Sequence, residues 1–127
     1  MIDTSVAIAL EGLSQAALPS EIAISSLTLA ELNAGPYAAS GLVRTRRRDH
    51  LRRIEARIEC LSFDPACSRA YGQIYAATHA IGRKPRGARC TDLMIAATAR
   101  AHRLPLYTLN AADLRGLNGL VEVVDLG

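Results

Sequence analysis

Short apolar runs alternate with longer amphipathic stretches along the whole chain. Residues 1–3 read as the end of a strand, followed by Asp-Thr-Ser. Ser5 to Leu18 has a helical pattern that stops before Pro19. Glu21-Ile-Ala-Ile-Ser25 is a short apolar run of the kind a buried strand shows. Leu27 to Ala39 predicts a helix with a break at Gly35-Pro36. Leu42 to Glu59 predicts a longer helix, in which Leu51, Ile54, Ile58 and Leu61 recur at helical spacing among arginines. Cys60 to Phe63 reads as a strand. Asp64-Pro65 then supplies an N-cap and a first-turn proline for a helix to about Ile81. Gly82 to Arg89, with two glycines, a proline and four basic residues, reads as a loop. Thr91 to His102 has almost no polar face before Arg100 and predicts a buried helix. Leu104–Thr108 and Val121–Val124 complete the pattern as strands. Strands alternating with helices imply parallel βαβ units. The expected fold is a three-layer α/β/α sandwich around a central, mostly parallel β-sheet.

Composition narrows this picture. A chain of 127 residues fits a single domain over 1–127, large enough to fold without a disulfide or metal. Half its residues are apolar, which argues against disorder. No apolar run reaches the roughly 20 residues of a membrane span, and no basic patch followed by an apolar core marks a secretory signal. Cys60, Cys67 and Cys90 are odd in number and lack C-x-x-C spacing, so they read as reduced thiols of a cytoplasmic protein. The interior is rich in alanine, as at positions 96, 97, 99 and 101. Each buried CH₂ contributes only about 0.8 kcal/mol, so a thin core of this kind favours further burial in a dimer or against a partner chain. The net charge is +3, and among 15 basic residues only Lys84 is a lysine. The planar arginine fork suits phosphate, although a GC-rich genome would give the same bias. Aromatic residues make up 4% of the chain, with no tryptophan, so base stacking is not expected to dominate binding.

Four acidic residues stand at the ends of elements. Asp3 follows the first strand, at the carboxyl end where open parallel sheets bind ligands; N-capping is the commoner task of such a residue. Glu31 falls on a predicted helical stripe with Leu27, Ala30 and Ala34, where a carboxylate is costly unless its charge is compensated; its ordinary reading is a boundary residue whose head reaches water. Asp92 opens the apolar helix, where a first-turn acid also suits the helix dipole. Asp113 lies just past the strand 104–108, in a place common for a turn residue. Taken together, four carboxylates gathered at one end of an α/β domain would repel and raise one another's pKa. A divalent cation resolves that conflict, and an all-oxygen set selects Mg²⁺ or Mn²⁺. His50, His79 and His102 lack ligand spacing. A cation held this way typically acts on a phosphate ester, so the implied reaction is phosphodiester hydrolysis.

Four motifs in order then carry a family resemblance. Met1-Ile-Asp-Thr-Ser-Val6 resembles the V-D-T-S opening of PIN-domain ribonucleases. Ile24-Ser-Ser-Leu-Thr28-Leu-Ala-Glu31-Leu32 is similar to their I-S-x-x-T-x-x-E-L motif, and Asp92-Leu-Met-Ile-Ala-Ala97 to their D-x-x-I-A-A helix. Leu104-Pro-Leu-Tyr-Thr108-Leu-Asn110-Ala-Ala-Asp113-Leu114 resembles their L-P-L-x-T-x-N-x-x-D-F segment. Each motif alone is loose; four in order over nearly the whole chain are specific. The size resembles that of VapC toxins. The resemblance implies that Asp3, Glu31, Asp92 and Asp113 are both catalytic residues and ligands of Mg²⁺ or Mn²⁺ in a site that cuts RNA, with transfer and ribosomal RNA as candidate substrates. It implies second-shell or phosphate contacts from Thr4 and Thr108, and that Asn110 holds the loop presenting Asp113. It also implies a homodimer and a cognate VapB-type antitoxin that blocks the site. Two departures stand out. Only two residues precede Asp3, so either the natural start lies upstream or the first strand is short. Leu114 replaces the usual aromatic residue, a mild core change.

The arginines fall in two stretches. Arg44, Arg46, Arg47, Arg48, Arg52, Arg53 and Arg57 crowd one helix, and Arg83, Lys84, Arg86 and Arg89 lead into Asp92. A solvated face with partial pairing, such as Asp49 with Arg53, is the simpler reading. Binding of RNA phosphates by Arg46, Arg47, Arg86 and Arg89 is the functional one. Part of the 42–59 helix could instead line the antitoxin groove. Two other functional classes fit the residues less well. A phosphoacceptor domain needs an acid pair near strand one and a late lysine, and the sole lysine is in a loop. A catalytically silent PIN-like module for binding nucleic acid or a partner is disfavoured by the presence of all four acids.

Overall fold

In the computed structural model, which describes residues 1–127, the first strand is reduced to one residue. Ile2 forms parallel bridges to Ile24 on one side and Tyr107 on the other. It thereby joins two parallel pairs, β1 (Ala23–Ser25) with β2 (Glu59–Leu61), and β3 (Leu106–Thr108) with β4 (Val123–Asp125). The lateral order is β2, β1, Ile2, β3, β4, all parallel. Hydrogen bonds from Ile2 N to Ala23 O (3.0 Å) and from Tyr107 N to Met1 O (2.9 Å) hold this centre.

Alternation along the strands separates two cores. Met1 and Leu106 point into a cluster with Ile74, Leu93, Ile95 and the alanines of the fifth helix; Val123 packs against it. Ile2 and Ile24 point the other way, into a cluster with Val6, Leu32 and Ile54, against which Tyr107 packs. Side chains of period two feeding helices on both faces give the expected three layers. Leu93 and Ile95 are fully buried, each contributing about 1.5–3 kcal/mol relative to exposure. No helix is long and apolar enough to cross a membrane, and all three cysteines are free.

The helices are α1 (Thr4–Ala9), α2 (Ser26–Ala34), α3 (Gly41–Arg57), α4 (Pro65–Ala80) and α5 (Ala88–Ala101). α2 gives way at the expected break to a 3-10 turn over Gly35–Ala38. Two expectations need correction. The predicted helix from Ser5 to Leu18 stops at Ala9 and continues as 3-10 turns at Leu10–Gly12 and Gln15–Ala17. Gly12 costs a helix about 1 kcal/mol relative to alanine. Leu13 and Leu18 adopt extended backbone there and pack against the cluster that holds Ile54. The final helix starts at Ala88 rather than Thr91, after Gly87 at φ 60, a conformation that glycine adopts without strain. Asp92 is therefore its fifth residue and not a cap.

Candidate metal and active site

Asp3 stands where the chain leaves the sheet, its amide donating to Tyr107 O at 3.0 Å. Its carboxylate caps α1: Oδ1 accepts from Val6 N at 3.0 Å and from the Ser5 hydroxyl at 2.6 Å. Both bonds fall on one oxygen, which leaves Oδ2 free for a ligand. Capping and chemistry are thus compatible on the two oxygens of one residue. Ser5, to which the sequence reading gave no role, also accepts from Leu109 N at 3.1 Å, tying Asp3 to the segment after β3. Its only sequence signal was its place in the Asp-Thr-Ser triplet.

Thr4 points at α2. Its Oγ1 lies 2.6 Å from Glu31 Oε1 and 3.1 Å from Thr28 Oγ1. With one proton to give, Thr4 donates to the carboxylate and accepts from Thr28, which is fully buried. The expected apolar stripe around Glu31 is not what α2 presents: Ala30, Glu31 and Ala34 are exposed, while Thr28 and Leu32 are buried. The helix turns its other side to the core, so Glu31 needs no burial and is held by one hydroxyl.

Asp92 is half-buried on α5. Burial pushes its carboxyl up to about 6, helped by the charges of Glu31, Asp3 and Asp113 and opposed by Arg89. The folded chain therefore draws the other three acids within electrostatic reach of Asp92. Asp3, Thr4, Ser5, Asp92, Thr108, Asn110 and Asp113 share one cleft of about 220 Å³. Asp113 sits in the 3-10 turn Ala111–Leu114 and is exposed. Thr108, fully buried, accepts from Asn110 N at 2.9 Å. Asn110 in turn accepts from Asp113 N at 3.0 Å through its main-chain carbonyl, and its side chain does not cap the turn. Arg83 steadies the same turn by donating to Ala112 O at 3.0 Å.

Glu31 does not line that cleft. It borders an adjoining groove of about 600 Å³ with Arg46, Arg47, His50 and Arg53. Thr4 joins the two spaces through its bond to Glu31. The arginines of α3 are partly committed to structure. Arg44 donates to Pro36 O and Ala39 O at 3.0 and 2.8 Å, and Arg47 donates to Gly35 O at 2.8 Å. Arg53 pairs with Glu11 at 2.7 Å, not with Asp49 as expected, because the 3-10 turn after α1 brings Glu11 to α3. Arg46 forms no such bond to the chain and faces the groove. Arg89 donates to Lys84 O at 3.3 Å near Asp92, and Arg86 is exposed on the preceding loop.

The donor set is all oxygen and half-open to solvent, and at Asp92 burial and the neighbouring acids disfavour the charged form. Such a set could hold a hard divalent cation and present a phosphodiester to it. Residues 1–115 match the PIN-domain family model. The chain belongs to the PIN-domain family. This PIN domain is 34% identical over 127 residues to ribonuclease VapC5 of Mycobacterium tuberculosis (strain ATCC 25618 / H37Rv), covering 97% of this chain and 90% of that relative. The crystal structure of VapBC-5 from the same species aligns with a TM-score of 0.82 at 33% identity, over 98% of this chain and 96% of that one. VapBC2 from Rickettsia felis, solved with a promoter DNA fragment, shares the fold at a TM-score of 0.80 and 24% identity, over 100% and 98% of the two chains. With the PIN fold go the three layers and parallel strands derived above.

Proposed function

We propose that this PIN domain is a Mg²⁺- or Mn²⁺-dependent endoribonuclease toxin of the VapC type, acting as one unit over residues 1–127. The observation that carries the reading is the convergence of Asp3, Asp92 and Asp113 on one cleft, with Glu31 close enough to raise the carboxyl of Asp92. The donors suit the ion. They are hard oxygens, Asp3 Oδ2 accepts no protein hydrogen bond, and a positive charge would offset the burial and the neighbouring charges that lift Asp92. When bound, such an ion lowers the pKa of a coordinated water and offsets charge on the phosphodiester.

The chain's own groups then have separate tasks. Asp3, Asp92 and Asp113 would hold the ion, and Glu31, oriented by Thr4, would complete the negative site from its rim. Ser5 restrains Asp3 by bonding Oδ1, which leaves Oδ2 available to the ion that the cleft would hold. Thr108 and Asn110 position the turn that presents Asp113. Arg46, Arg86 and Arg89, and Arg47 with its remaining guanidinium nitrogens, contact backbone phosphates of RNA, which fixes the strand without reading its bases. The protein works in the cytoplasm as a homodimer. A VapB-type antitoxin silences it, a reading supported by the VapBC complexes among its structural relatives.

Cleavage of total cellular RNA by the purified chain, with Mg²⁺ or Mn²⁺ and with EDTA, tests this. Cutting should require the cation, and folded Asp3→Asn should not cut. Cutting in EDTA, or wild-type cutting by Asp3→Asn, would overturn the assignment.

A further inference from the structure

Away from the carboxylate cleft, three side chains of different chemistry meet where α4 begins and α5 ends. Asp64 caps α4, its Oδ1 accepting from Cys67 N at 3.0 Å. That i, i+3 spacing sets the Cys67 thiol beside the carboxylate. His102 closes α5 and is followed by Arg103 in the left-handed region at φ 55, a turn tied by Leu104 N to Ala99 O at 2.9 Å. The ligand atoms of Asp64, Cys67 and His102 all lie within 4.8 Å of one another.

We propose that Asp64, Cys67 and His102 form a second metal site, for a thiophilic dication of the Zn²⁺ class. Thiolate, imidazole and carboxylate are the donors zinc takes, and three protein ligands leave the fourth tetrahedral position to water. Bonds of about 2.3 Å to sulfur and about 2.0 Å to nitrogen and oxygen place such ligands roughly 3.3–3.5 Å apart. Closing from 4.8 Å needs side-chain movements on the order of 1 Å, which Asp64, exposed at the surface, can make.

Cys67 is fully buried, and its thiol donates to the Ser62 carbonyl oxygen at 3.6 Å, an ordinary distance for sulfur. A coordinating ion would displace the thiol proton. Thiolate and carboxylate together would balance the charge of the ion, against which stand Arg69, Arg100 and Arg103 in the adjoining cleft.

This site is separate from the first. His102 lies ten residues along α5 from Asp92, about 15 Å of helix, and its donors are soft where the others are hard. An ion here would staple the start of α4 to the end of α5, the helix that carries Asp92.

Co²⁺ titration of the full chain tests the site. One equivalent should give a thiolate-to-cobalt charge-transfer band that excess Zn²⁺ removes and excess Mg²⁺ leaves. His102→Gln, at the helix end, should lose the band and weaken Zn²⁺ binding by more than about 100-fold, beyond the loss typical of an outer-sphere partner. Cys67→Ser should do the same, while Cys60→Ser and Cys90→Ser should keep the band. Absence of the band at saturating Co²⁺, its survival in His102→Gln, or its loss in Cys60→Ser or Cys90→Ser would overturn the proposal.

Discussion

Replacing Asp92 by Asn should stabilise the metal-free protein at neutral pH. The carboxyl of Asp92 rises from its ordinary 3.8 to about 6 in the folded chain, through burial first and then the charges of Glu31, Asp3 and Asp113. That difference corresponds to about 3 kcal/mol against the ionised form. Asp92 is partly exposed, and solvent screening reduces the recoverable amount to about 1–2 kcal/mol. The folded value lies above the unfolded one. The folded chain therefore holds an extra proton between pH 3.8 and about 6, and stability falls as pH rises through that window. Asn keeps the shape and cannot ionise, so its gain should be full at pH 7.5 and vanish near pH 4. Thermal melts followed by circular dichroism, in EDTA at four pH values, would measure it. A gain of 1–2 kcal/mol appears as roughly 3–10 °C in Tm for a chain of this size. An Asn variant no more stable than wild type at pH 7.5, or one equally stabilised at pH 4, would refute the reasoning. Stability gained this way should coincide with lost RNA cleavage, the usual trade at a strained site.

Three further outcomes are expected. Metal affinity should weaken as pH falls through about 6, because protons compete for Asp92; isothermal titration with Mn²⁺ at pH 5 and 7.5 reads this, and equal affinities would contradict it. Thr4→Val should leave Glu31 unanchored and lower kcat/KM about tenfold, the cost of one charge-assisted hydrogen bond, and should also lower the urea midpoint, because the buried Thr28 hydroxyl loses its partner. Arg46→Ala should weaken binding of an uncleaved RNA across all sequences and reduce the slope of log affinity against log salt by about 1; an unchanged slope would remove Arg46 from the phosphate-contacting surface.

The order of elements and the four acids were legible in the sequence because each rests on local rules. Strand period, proline and glycine breaks, and the Asp-Pro start of α4 act over a few residues. Other features depend on where helices land. Of the two readings open for Glu31, the solvent-facing one holds, because α2 buries Thr28 and Leu32 rather than its alanines. Helical spacing names a set of faces, and only packing chooses one. The pairing of Arg53 with Glu11 spans 42 residues and follows from the breakup of the first helix at Gly12.

What the sequence by itself determined is the chemistry available: hard carboxylates in family order, arginines in two stretches, and an alanine-rich helix that must be buried. Tertiary structure alone decided which atoms are free to use it. It assigned Asp3 Oδ1 to capping and left Oδ2 open. It hung Glu31 from Thr4 across 27 residues, and it set Cys67 beside His102 across 35 positions of chain. The physical reason is the same in each case. A residue's type sets what it can bind, but its solvation and nearest charges are properties of the packed chain, and those decide its protonation, its rotamer and its partner.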